Sequence, residues 1–239
     1  MPNLKINYLN SLVQNYRSQP DRSSLAIREI QTLKLLLKIS YSDFNFSIGS
    51  LHDEIDQEVN VLHSFLDLGA GDQFLADPLL SLGCNYLPLD IQDCDFETCS
   101  LSLDSGSVDC VMSLAVIEHL HNPSNFISES FRVLKPGGLL WLSTPNWHHC
   151  SRDFYNDFTH VTPYTPRSLV SAVSSFGFTR VHAYPNLRCK PKWCYTGPKA
   201  FLRARFMFPF SNNPNLLVPA FLKGKSKGIF LLAIKPKDV

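Results

Sequence analysis

The spacing of hydrophobic positions changes repeatedly along the chain and predicts alternating strands and helices. Continuous apolar runs predict buried strands at residues 59–68, 85–90, 108–114 and 139–144. Apolar residues about 3.6 positions apart predict helices at residues 25–39, 124–134 and 166–176. Two further strands are predicted at residues 178–184 and 228–234. Strands that alternate with helices in this way are typical of an α/β fold with a parallel sheet.

Proline and glycine mark where two of these elements end. A short helix after the first strand is expected to end at Gly83. It is either kinked at Pro78 or starts late, with Asp77 as its N-cap and Pro78 as its first residue. The run Lys135-Pro136-Gly137-Gly138 predicts a helix stop and a turn before the fourth strand. With these breaks between them, the strands and helices predict a mostly parallel sheet that is covered by helices on both faces.

Polar features lie where the first two strands end, and ligands of such sheets bind at the carboxyl ends of the strands. The first strand runs into Asp67-Leu68-Gly69-Ala70-Gly71, a glycine turn that lets a ligand approach the backbone. Asp90 ends the second strand, 23 residues after Asp67. A carboxylate at this position can accept hydrogen bonds from both hydroxyls of a ribose. Asp72 and Phe74 argue against a dinucleotide, because a carboxylate there repels a pyrophosphate and the third glycine is missing.

Beyond these turns, the chain resembles the class I S-adenosylmethionine-dependent methyltransferases, within them the methyltransferase type 11/23-like group. The resemblance spans roughly residues 61–180, and its matching segments are residues 65–71, 89–91, 104–111, 115–120 and 131–138. The runs Ala115-Val-Ile-Glu118-His119-Leu and Phe131-Arg-Val-Leu-Lys135-Pro-Gly137-Gly138 are the most specific of these. The resemblance implies S-adenosylmethionine as the cofactor. It also implies a Rossmann-like, doubly wound, mostly parallel sheet with an antiparallel last strand.

The same resemblance implies where the cofactor lies. Gly69 and Gly71 line its methionine part, Asp90 holds its ribose, and Asp95, or else Glu97, lies near the adenine. The cofactor-binding residues expected in this way are Asp67, Gly69, Ala70, Gly71, Asp90, Ile91 and Asp95.

The sequence departs from the family pattern at three places. Gln73 stands where the family has its third glycine, and only 17 residues separate Asp90 from Val108, so the usual second helix is short or missing. Glu118-His119 resembles half of a metal-binding E-x-x-E-H motif of some relatives, but its first position is Ala115. One carboxylate and one histidine do not make a metal site without further ligands. We therefore expect no metal, and we expect this histidine to pack beneath the cofactor.

The candidate chemistry follows the fourth strand, in a loop at residues 147–165 that is rich in aromatic, His and Asp side chains. Methyl transfer to a hydroxyl needs in-line positioning and removal of the hydroxyl proton. We expect His160 to be the base and Asp157 to orient it or to bind the acceptor hydroxyl, because side chains three positions apart share one face of a helical segment. The alternative is a structural Asp–His pair that tethers the loop. His148 and His149 are the next candidates for the base.

Three functions remain open at this stage. Residues 143–169 resemble a segment of methyltransferases from sugar and surface-polysaccharide biosynthesis, which implies O-methylation of a sugar or glycan-precursor hydroxyl. The alternatives are methyl transfer to a lipid, quinone or other small metabolite, and an inactive cofactor-binding module of a biosynthetic complex. No nucleic-acid partner is expected, because the Asp/Asn-Pro-Pro-aromatic motif of nucleic-acid amino-methyltransferases is not in the sequence.

Charge is distributed unevenly, although the formal net charge is only +1. Residues 1–179 hold 10 basic and 20 acidic side chains, whereas residues 180–239 hold 12 basic and one acidic. The basic part includes a Pro/Asn-rich insertion at residues 185–227 of a methyltransferase domain at residues 59–239. We expect this insertion to bind a phosphorylated or lipid-linked acceptor, to contact an anionic membrane face, or to pair with its own acidic domain. Residues 1–58 are expected to form a helical segment and a candidate lid.

Composition excludes two classes of protein. Hydrophobic residues make up 44% of the 239 residues and charged residues 18%, so a disordered chain is excluded. The longest run without charge, residues 206–222, holds three Pro and three Asn, unlike a membrane span. No secretory signal is visible at the N-terminus. The seven scattered cysteines predict reduced thiols in a cytoplasmic protein.

Overall fold

The computed structural model of the protein describes residues 26, 29, 62–185 and 226–237. Ala26 and Glu29 are helical and buried. The rest of the predicted helix at 25–39, the proposed lid at 1–58 and almost all of the basic insertion lie outside the described residues.

The described residues contain a six-stranded sheet in the order β2-β1-β3-β4-β6-β5. The strands are β1 (Ser64–Leu68), β2 (Asn85–Leu89), β3 (Val108–Leu114), β4 (Leu134–Pro145), β5 (Thr179–Pro185) and β6 (Gly228–Ile234). Pairing is parallel from β2 through β1 and β3 to β4, and β6 is antiparallel to both of its neighbours. The predicted fold class, with its antiparallel last strand, is confirmed.

Helices connect the strands on both sides of the sheet. Those described are α1 (Ala76–Ser81), α2 (Ser124–Val133), α3 (Trp147–Cys150) and α4 (Pro166–Ser174), with short 3-10 turns at Ile117–His119 and Phe154–Asn156. The late start considered for α1 is wrong, because Leu75 rather than Asp77 is its N-cap. α4 begins with a capping box between Thr165 and Ser168. No helix of the described ranges is long and apolar enough to cross a membrane.

Two hydrophobic clusters cover the two faces of the sheet, because successive strand residues point to opposite faces. One cluster contains Leu66, Val111, Leu140 and Leu231, packed with Phe126 and Ile127 of α2 and Leu169 and Val173 of α4. The other contains Phe65, Met112, Trp141 and Phe230, packed with Leu79 of α1 and with Leu75 and Ala26. Burial on both faces explains why the central strands read as continuous apolar runs.

β4 begins five residues earlier than its apolar pattern predicts, so the predicted break at residues 135–138 lies inside the strand. Gly137 N donates to Lys235 O, and Lys235 N donates to Gly138 O, each at 2.9 Å. Leu134 pairs with Val108 across a register shift. These distant partners keep the segment in the sheet. Gly137 nevertheless has a φ of +81°, the left-handed conformation that a Pro-Gly turn uses, so the strand is irregular at the predicted break.

The segment between β2 and β3 contains turns and no helix, which confirms the prediction drawn from its length. One of these turns is closed where Thr98 N and Cys99 N both donate to Asp95 O, at 3.0 and 2.8 Å. The turn brings Cys94 and Cys99 together as a disulfide with a Cα–Cα separation of 6.0 Å, within the usual range.

The expectation that all cysteines are reduced thiols is therefore wrong for this pair. A separation of five residues between two cysteines does not by itself indicate a disulfide in the sequence. In the structure, the local turn at Asp95 brings the two side chains together. Among the described residues, Cys84, Cys110 and Cys150 are not in a disulfide, whereas Cys189 and Cys194 lie outside them.

Two charged residues of α2 hold this helix-free segment against the domain. Glu129 accepts hydrogen bonds from Leu101 N at 2.7 Å and from Ser100 Oγ at 3.1 Å. Arg132 donates to Leu101 O and Leu103 O, at 2.9 and 2.7 Å, and bonds Glu129 at 2.7 Å. The guanidinium is the main reason that the pKa of Glu129 falls to about 2.

We predict that Glu129→Gln lowers the free energy of unfolding by about 2 kcal/mol at pH 7, because charge-assisted hydrogen bonds are lost. The folded-state pKa lies below the unfolded value of 4.5, so the stabilisation is complete above that value. It should disappear as pH falls from about 4.5 to about 2. Urea denaturation of both proteins at several pH values measures the difference.

The matched control is Asp153→Asn, which breaks an exposed ion pair of the same 2.7 Å length with Lys227. Exposed ion pairs contribute little, so this variant should unfold nearly as the unmodified protein does. A difference between Glu129→Gln and the unmodified protein that persists unchanged at pH 2 would contradict the role assigned to Glu129.

Candidate functional site

The turn after β1 is built from residues in the left-handed backbone region. The φ angles are +80° at Gly69, +51° at Gly71 and +56° at Gln73. Gly69 N and Ala70 N both donate to Leu89 O, at 2.8 and 3.2 Å, so the turn is fastened to the end of β2. Gln73 keeps the left-handed conformation that glycine would adopt without strain, and the missing third glycine therefore leaves the turn intact.

Gly69 also leaves space for a neighbouring side chain. A Cβ at residue 69 would collide with Val116 Cγ2. Val116 belongs to the turn after β3, which bends at Ala115 with a φ of +62° and is held by Ala115 N donating to Ser143 O at 2.8 Å. The predicted close approach at this glycine is thus made, in part, by the protein itself, and it joins the ends of β1 and β3.

Asp90 lies beside the glycine turn at the end of β2, half-buried. Its Oδ2 accepts from Gly71 N at 3.1 Å and its Oδ1 from Ile91 N at 2.7 Å. Asp90 N donates to Asp93 Oδ2 at 2.8 Å. A carboxylate has about four acceptor positions, so two bonds to its own loop leave capacity for the two hydroxyls of a ribose.

Asp67 occupies a different environment from Asp90. Its side chain is buried in β1, and Tyr86 Oη donates to its Oδ2 at 2.6 Å. Burial raises the pKa of Asp67 to about 7, with a smaller contribution from the charge of Asp90. Burial also raises the pKa of Tyr86. Tyr86 therefore fixes the Asp67 carboxyl inside the sheet.

The remaining predicted cofactor residues lie in the same two segments. Ala70 is buried in the glycine turn, and Ile91 is half-buried next to Asp90. Asp95 is exposed and accepts from Glu97 N at 3.0 Å within its own turn. The Glu97 carboxylate instead accepts from His121 N and Asn122 N, at 3.2 and 2.9 Å. Of the two residues expected near the adenine, Glu97 is thus hydrogen-bonded to the loop at residues 121–122.

A second group of polar side chains meets at the carboxyl ends of β3 and β4. We call it the rim cluster, and its members are Glu118, His119, Asp157, Thr159 and His160. The main-chain oxygen of Glu118 accepts from Val161 N and Thr162 N, at 2.9 and 3.0 Å. These two bonds hold the 3-10 turn after β3 against the loop that carries the other three members.

Glu118 is the most buried member of the rim cluster, with no exposed surface. Its Oε2 accepts from Thr144 Oγ1 at 2.9 Å, and its Oε1 has no hydrogen-bond partner among the described residues. Burial raises the pKa of Glu118 to about 8. The sequence shows Glu118 only as half of a metal motif, and nothing in it indicates the contact with Thr144 of β4.

The other rim side chains form a hydrogen-bonded chain. Thr159 Oγ1 donates to Asp157 Oδ1 at 2.6 Å and contacts His119 Nδ1 at 2.9 Å. A hydroxyl carries one proton, and here it goes to the carboxylate, so His119 Nδ1 donates to Thr159 and the lone pair of the ring lies on Nε2. His119 therefore belongs to a polar network as well as to the packing that the sequence predicts.

His160 is oriented by a backbone carbonyl. Its Nδ1 lies 2.7 Å from Phe154 O, an acceptor, so Nδ1 carries the proton and Nε2 the lone pair. The ring packs on those of Phe154 and His119, at 4.6 and 4.7 Å between centroids. Asp157 Oδ2 is 3.9 Å from Nε2, too far for a hydrogen bond. A turn with His160 N bonded to Asp157 O, rather than a helix, brings the two residues together.

Aromatic rings flank the rim cluster. Trp147 and Tyr155 pack edge to face at 5.9 Å between centroids. Tyr155 and Phe158 are 58% and 57% exposed, unusual values for large hydrophobic side chains. His148 and His149, the other candidate bases, lie exposed on α3.

Three rim side chains are arranged as metal ligands could be. Glu118, His119 and His160 each offer one ligand atom, and these atoms lie within 4.8 Å of one another. Only the first two are adjacent in the sequence, where they share one turn. The fold adds His160 from a loop 41 residues later, so the argument that further ligands are lacking does not hold.

Comparison with known proteins identifies the family. A family model described as a methyltransferase domain matches residues 29–183, more than half of the chain. The chain belongs to this methyltransferase family. An Archaeoglobus fulgidus protein described as a SAM-dependent methyltransferase has the same fold, with a TM-score of 0.52, 16% identity, and coverage of 76% of this chain and 91% of that one.

Two curated relatives match over shorter stretches. One, from Mycolicibacterium smegmatis, is named "Probable S-adenosylmethionine-dependent methyltransferase" and is 33% identical over 34% of this chain and 37% of its own length. The other, a ubiquinone biosynthesis O-methyltransferase of Maricaulis maris, is 28% identical over 34% of this chain and 40% of its own length. The match therefore spans about two fifths of these relatives.

The methyltransferase uses S-adenosylmethionine, as its family implies. The residues present fit this group, because the glycine turn offers left-handed backbone next to a half-buried carboxylate with acceptor capacity to spare. The Asp90 carboxylate suits a ribose diol, and the absence of a phosphate bridge in this cofactor removes the objection raised by Asp72.

We predict that Asp90→Ala weakens the binding of S-adenosylhomocysteine by about 10- to 100-fold, because charge-assisted hydrogen bonds to the ribose are lost. Calorimetric titration of both proteins measures the change. Asp104→Ala is the control, because Asp104 is exposed and precedes β3 at the other end of the sheet. Equal affinities of Asp90→Ala and the unmodified methyltransferase would show that Asp90 does not hold the cofactor.

Proposed function

We propose that this methyltransferase transfers a methyl group to a hydroxyl of a sugar or glycan precursor bound at the rim cluster. The observation that supports the proposal is the state of His160. Its Nδ1 is bonded to Phe154 O, so the Nε2 lone pair is fixed in direction, and its side chain is 15% exposed. A half-buried imidazole with this tautomer is suited to accept a proton from a bound hydroxyl.

The transfer requires a proton acceptor. Held by the glycine turn and Asp90, the cofactor would supply an electrophilic methyl group to the acceptor oxygen and would leave as S-adenosylhomocysteine. His160 Nε2 takes the hydroxyl proton and later releases it to solvent. Asp157 stabilises the charged imidazole from 3.9 Å, and its two bonds from Thr159 keep it in place.

The exposed aromatic rings support an acceptor that contains a ring. Tyr155 and Phe158 present flat apolar faces beside the loop that carries His160. A sugar ring can lay its C–H face on such a side chain while its hydroxyls reach Asp157 and His160.

The positive charge of residues 180–239 supports a phosphorylated or lipid-linked precursor and an anionic membrane face as partners. Two of its described lysines contact the domain itself. Lys227 pairs with Asp153 at 2.7 Å, and Lys235 Nζ donates to Leu134 O at 2.8 Å. The insertion at 185–227 lies almost entirely outside the described residues, so these partners, like the cytoplasmic location, rest on the sequence.

A phenolic or quinol-type metabolite is the second candidate acceptor. Ubiquinone biosynthesis O-methyltransferases of Maricaulis maris and Parvibaculum lavamentivorans are among the relatives, at 28% and 27% identity. These relatives are named for O-methylation in quinone biosynthesis, which favours a hydroxyl on an aromatic ring as the acceptor. Such a ring would use the same aromatic faces and the same base.

We predict that His160→Ala lowers kcat by about 10²- to 10⁴-fold, because the proton acceptor is lost. The affinity for S-adenosylhomocysteine should stay the same, because the predicted cofactor residues lie on other loops. The measurement is the formation of S-adenosylhomocysteine with nucleotide sugars, glycan precursors and catechols as acceptors. Asp157→Asn should give a smaller loss, since it removes a charge but leaves the base.

The matched control is His63→Ala, because His63 is exposed at the amino end of β1, away from the rim cluster. Unchanged turnover in His160→Ala would overturn the assignment of the base. A protein that binds S-adenosylhomocysteine but methylates none of the acceptors would favour the inactive-module alternative.

A further inference from the structure

We propose that Glu118, His119 and His160 bind one divalent transition-metal ion, of which zinc fits best. The three side chains come from two segments, the 3-10 turn after β3 and the loop after residue 156. Their ligand atoms lie within 4.8 Å of one another. Ligand atoms about 2.0–2.1 Å from a tetrahedral zinc ion lie about 3.4 Å from one another, so side-chain movements of about 1 Å would close the site.

The backbone holds the two segments in register for such a site. Glu118 O accepts from Val161 N and Thr162 N, so the carboxylate and His160 cannot drift apart independently. Thr144 Oγ1 fixes one carboxylate oxygen from β4. The ligands are therefore supported by the carboxyl ends of β3 and β4, which gives the fixed positions that a metal site requires.

Both histidines present the nitrogen that a metal needs. Metal-bound histidines usually donate their second ring N–H to a carbonyl or to a group linked to a carboxylate. His160 Nδ1 donates to Phe154 O, and His119 Nδ1 donates to Thr159, whose hydroxyl donates to Asp157. In both rings Nε2 then carries the lone pair, which is the form in which an imidazole binds a metal.

The third ligand is a buried carboxylate that lacks a full set of partners. Glu118 has no exposed surface, and its Oε1 has no hydrogen-bond partner among the described residues. A carboxylate oxygen in this position is costly unless a proton or a cation offsets it. A cation bound next to the two histidines supplies that partner.

The donor set selects the class of ion. Two imidazoles and one carboxylate suit zinc and other first-row divalent metals, whereas magnesium and calcium prefer oxygen ligands alone. Three protein ligands also leave at least one coordination position open.

The role of the ion rests on the proposed function. A cation facing the acceptor would make its hydroxyl more acidic, and the proton would pass to solvent. His160 would then act as a ligand in the loaded protein and as the proton acceptor only in the metal-free protein.

The test is binding of zinc chloride to the full chain, after removal of metals with a chelator, without cofactor or acceptor. We expect one zinc per chain in elemental analysis after gel filtration. Calorimetry should show affinity reduced about 100-fold or more in Glu118→Gln and His119→Ala. Thr159→Val keeps the side-chain shape but removes the support of His119, and it should weaken binding by about 10- to 100-fold. His63→Ala should bind as the unmodified chain does.

Cobalt substitution gives an independent readout on the unmodified protein, so the test does not depend on the folding of any variant. Visible absorption typical of cobalt bound by nitrogen and oxygen ligands in a low-symmetry site is expected. Zinc binding of equal strength in Glu118→Gln, or cobalt that keeps its aqueous spectrum, would overturn the site. Zinc binding without methyl transfer would support the metal site and contradict the proposed function. Methyl transfer by a chain that binds no zinc would contradict the metal site and support the proposed function.

Discussion

Val116 packs against Gly69 at a point where any side chain on residue 69 would collide with it. This contact ties the turn after β1, which carries the predicted cofactor residues, to the turn after β3, which leads into the rim cluster. Two residues further on, the main-chain oxygen of Glu118 binds the loop at 161–162. The cofactor turn and the rim cluster are thus held together by close packing and short backbone bonds, which tolerate little movement.

The polar groups at this end of the sheet show why the region is a site rather than core. Glu118 Oε1 and Tyr164 Oη are both buried without a hydrogen-bond partner among the described residues. Burial, and then the charge of Glu118, raise the pKa of Tyr164 to about 12. An unsatisfied buried polar atom costs about 1–3 kcal/mol. Two such atoms together mark a place where binding of a ligand would recover lost stability.

The sequence predicts an element well when its partners need not be known. β3 and β6 have the predicted bounds because a run of apolar residues buried on both faces needs no particular neighbour. The start of β4 was missed because its glycines pair with Lys235, about 100 residues away. The same limit holds in the site: the spacing of Asp157 and His160 predicts their proximity, whereas nothing local indicates that Glu118 meets the loop 43 residues later.

The helix-free segment after Asp90 shows how side chains replace regular structure. A helix there would satisfy its own backbone groups, but this segment relies on Glu129 and Arg132 of α2, on Glu97, and on the Cys94–Cys99 disulfide. These links all join it to itself or to elements that follow β3. Asp90 begins this segment and also accepts from Gly71 N, so the segment is joined to the glycine turn at the predicted cofactor site. Loosening α2 should therefore disturb the cofactor side of the site before it disturbs the rim cluster, which is anchored on β3 and β4.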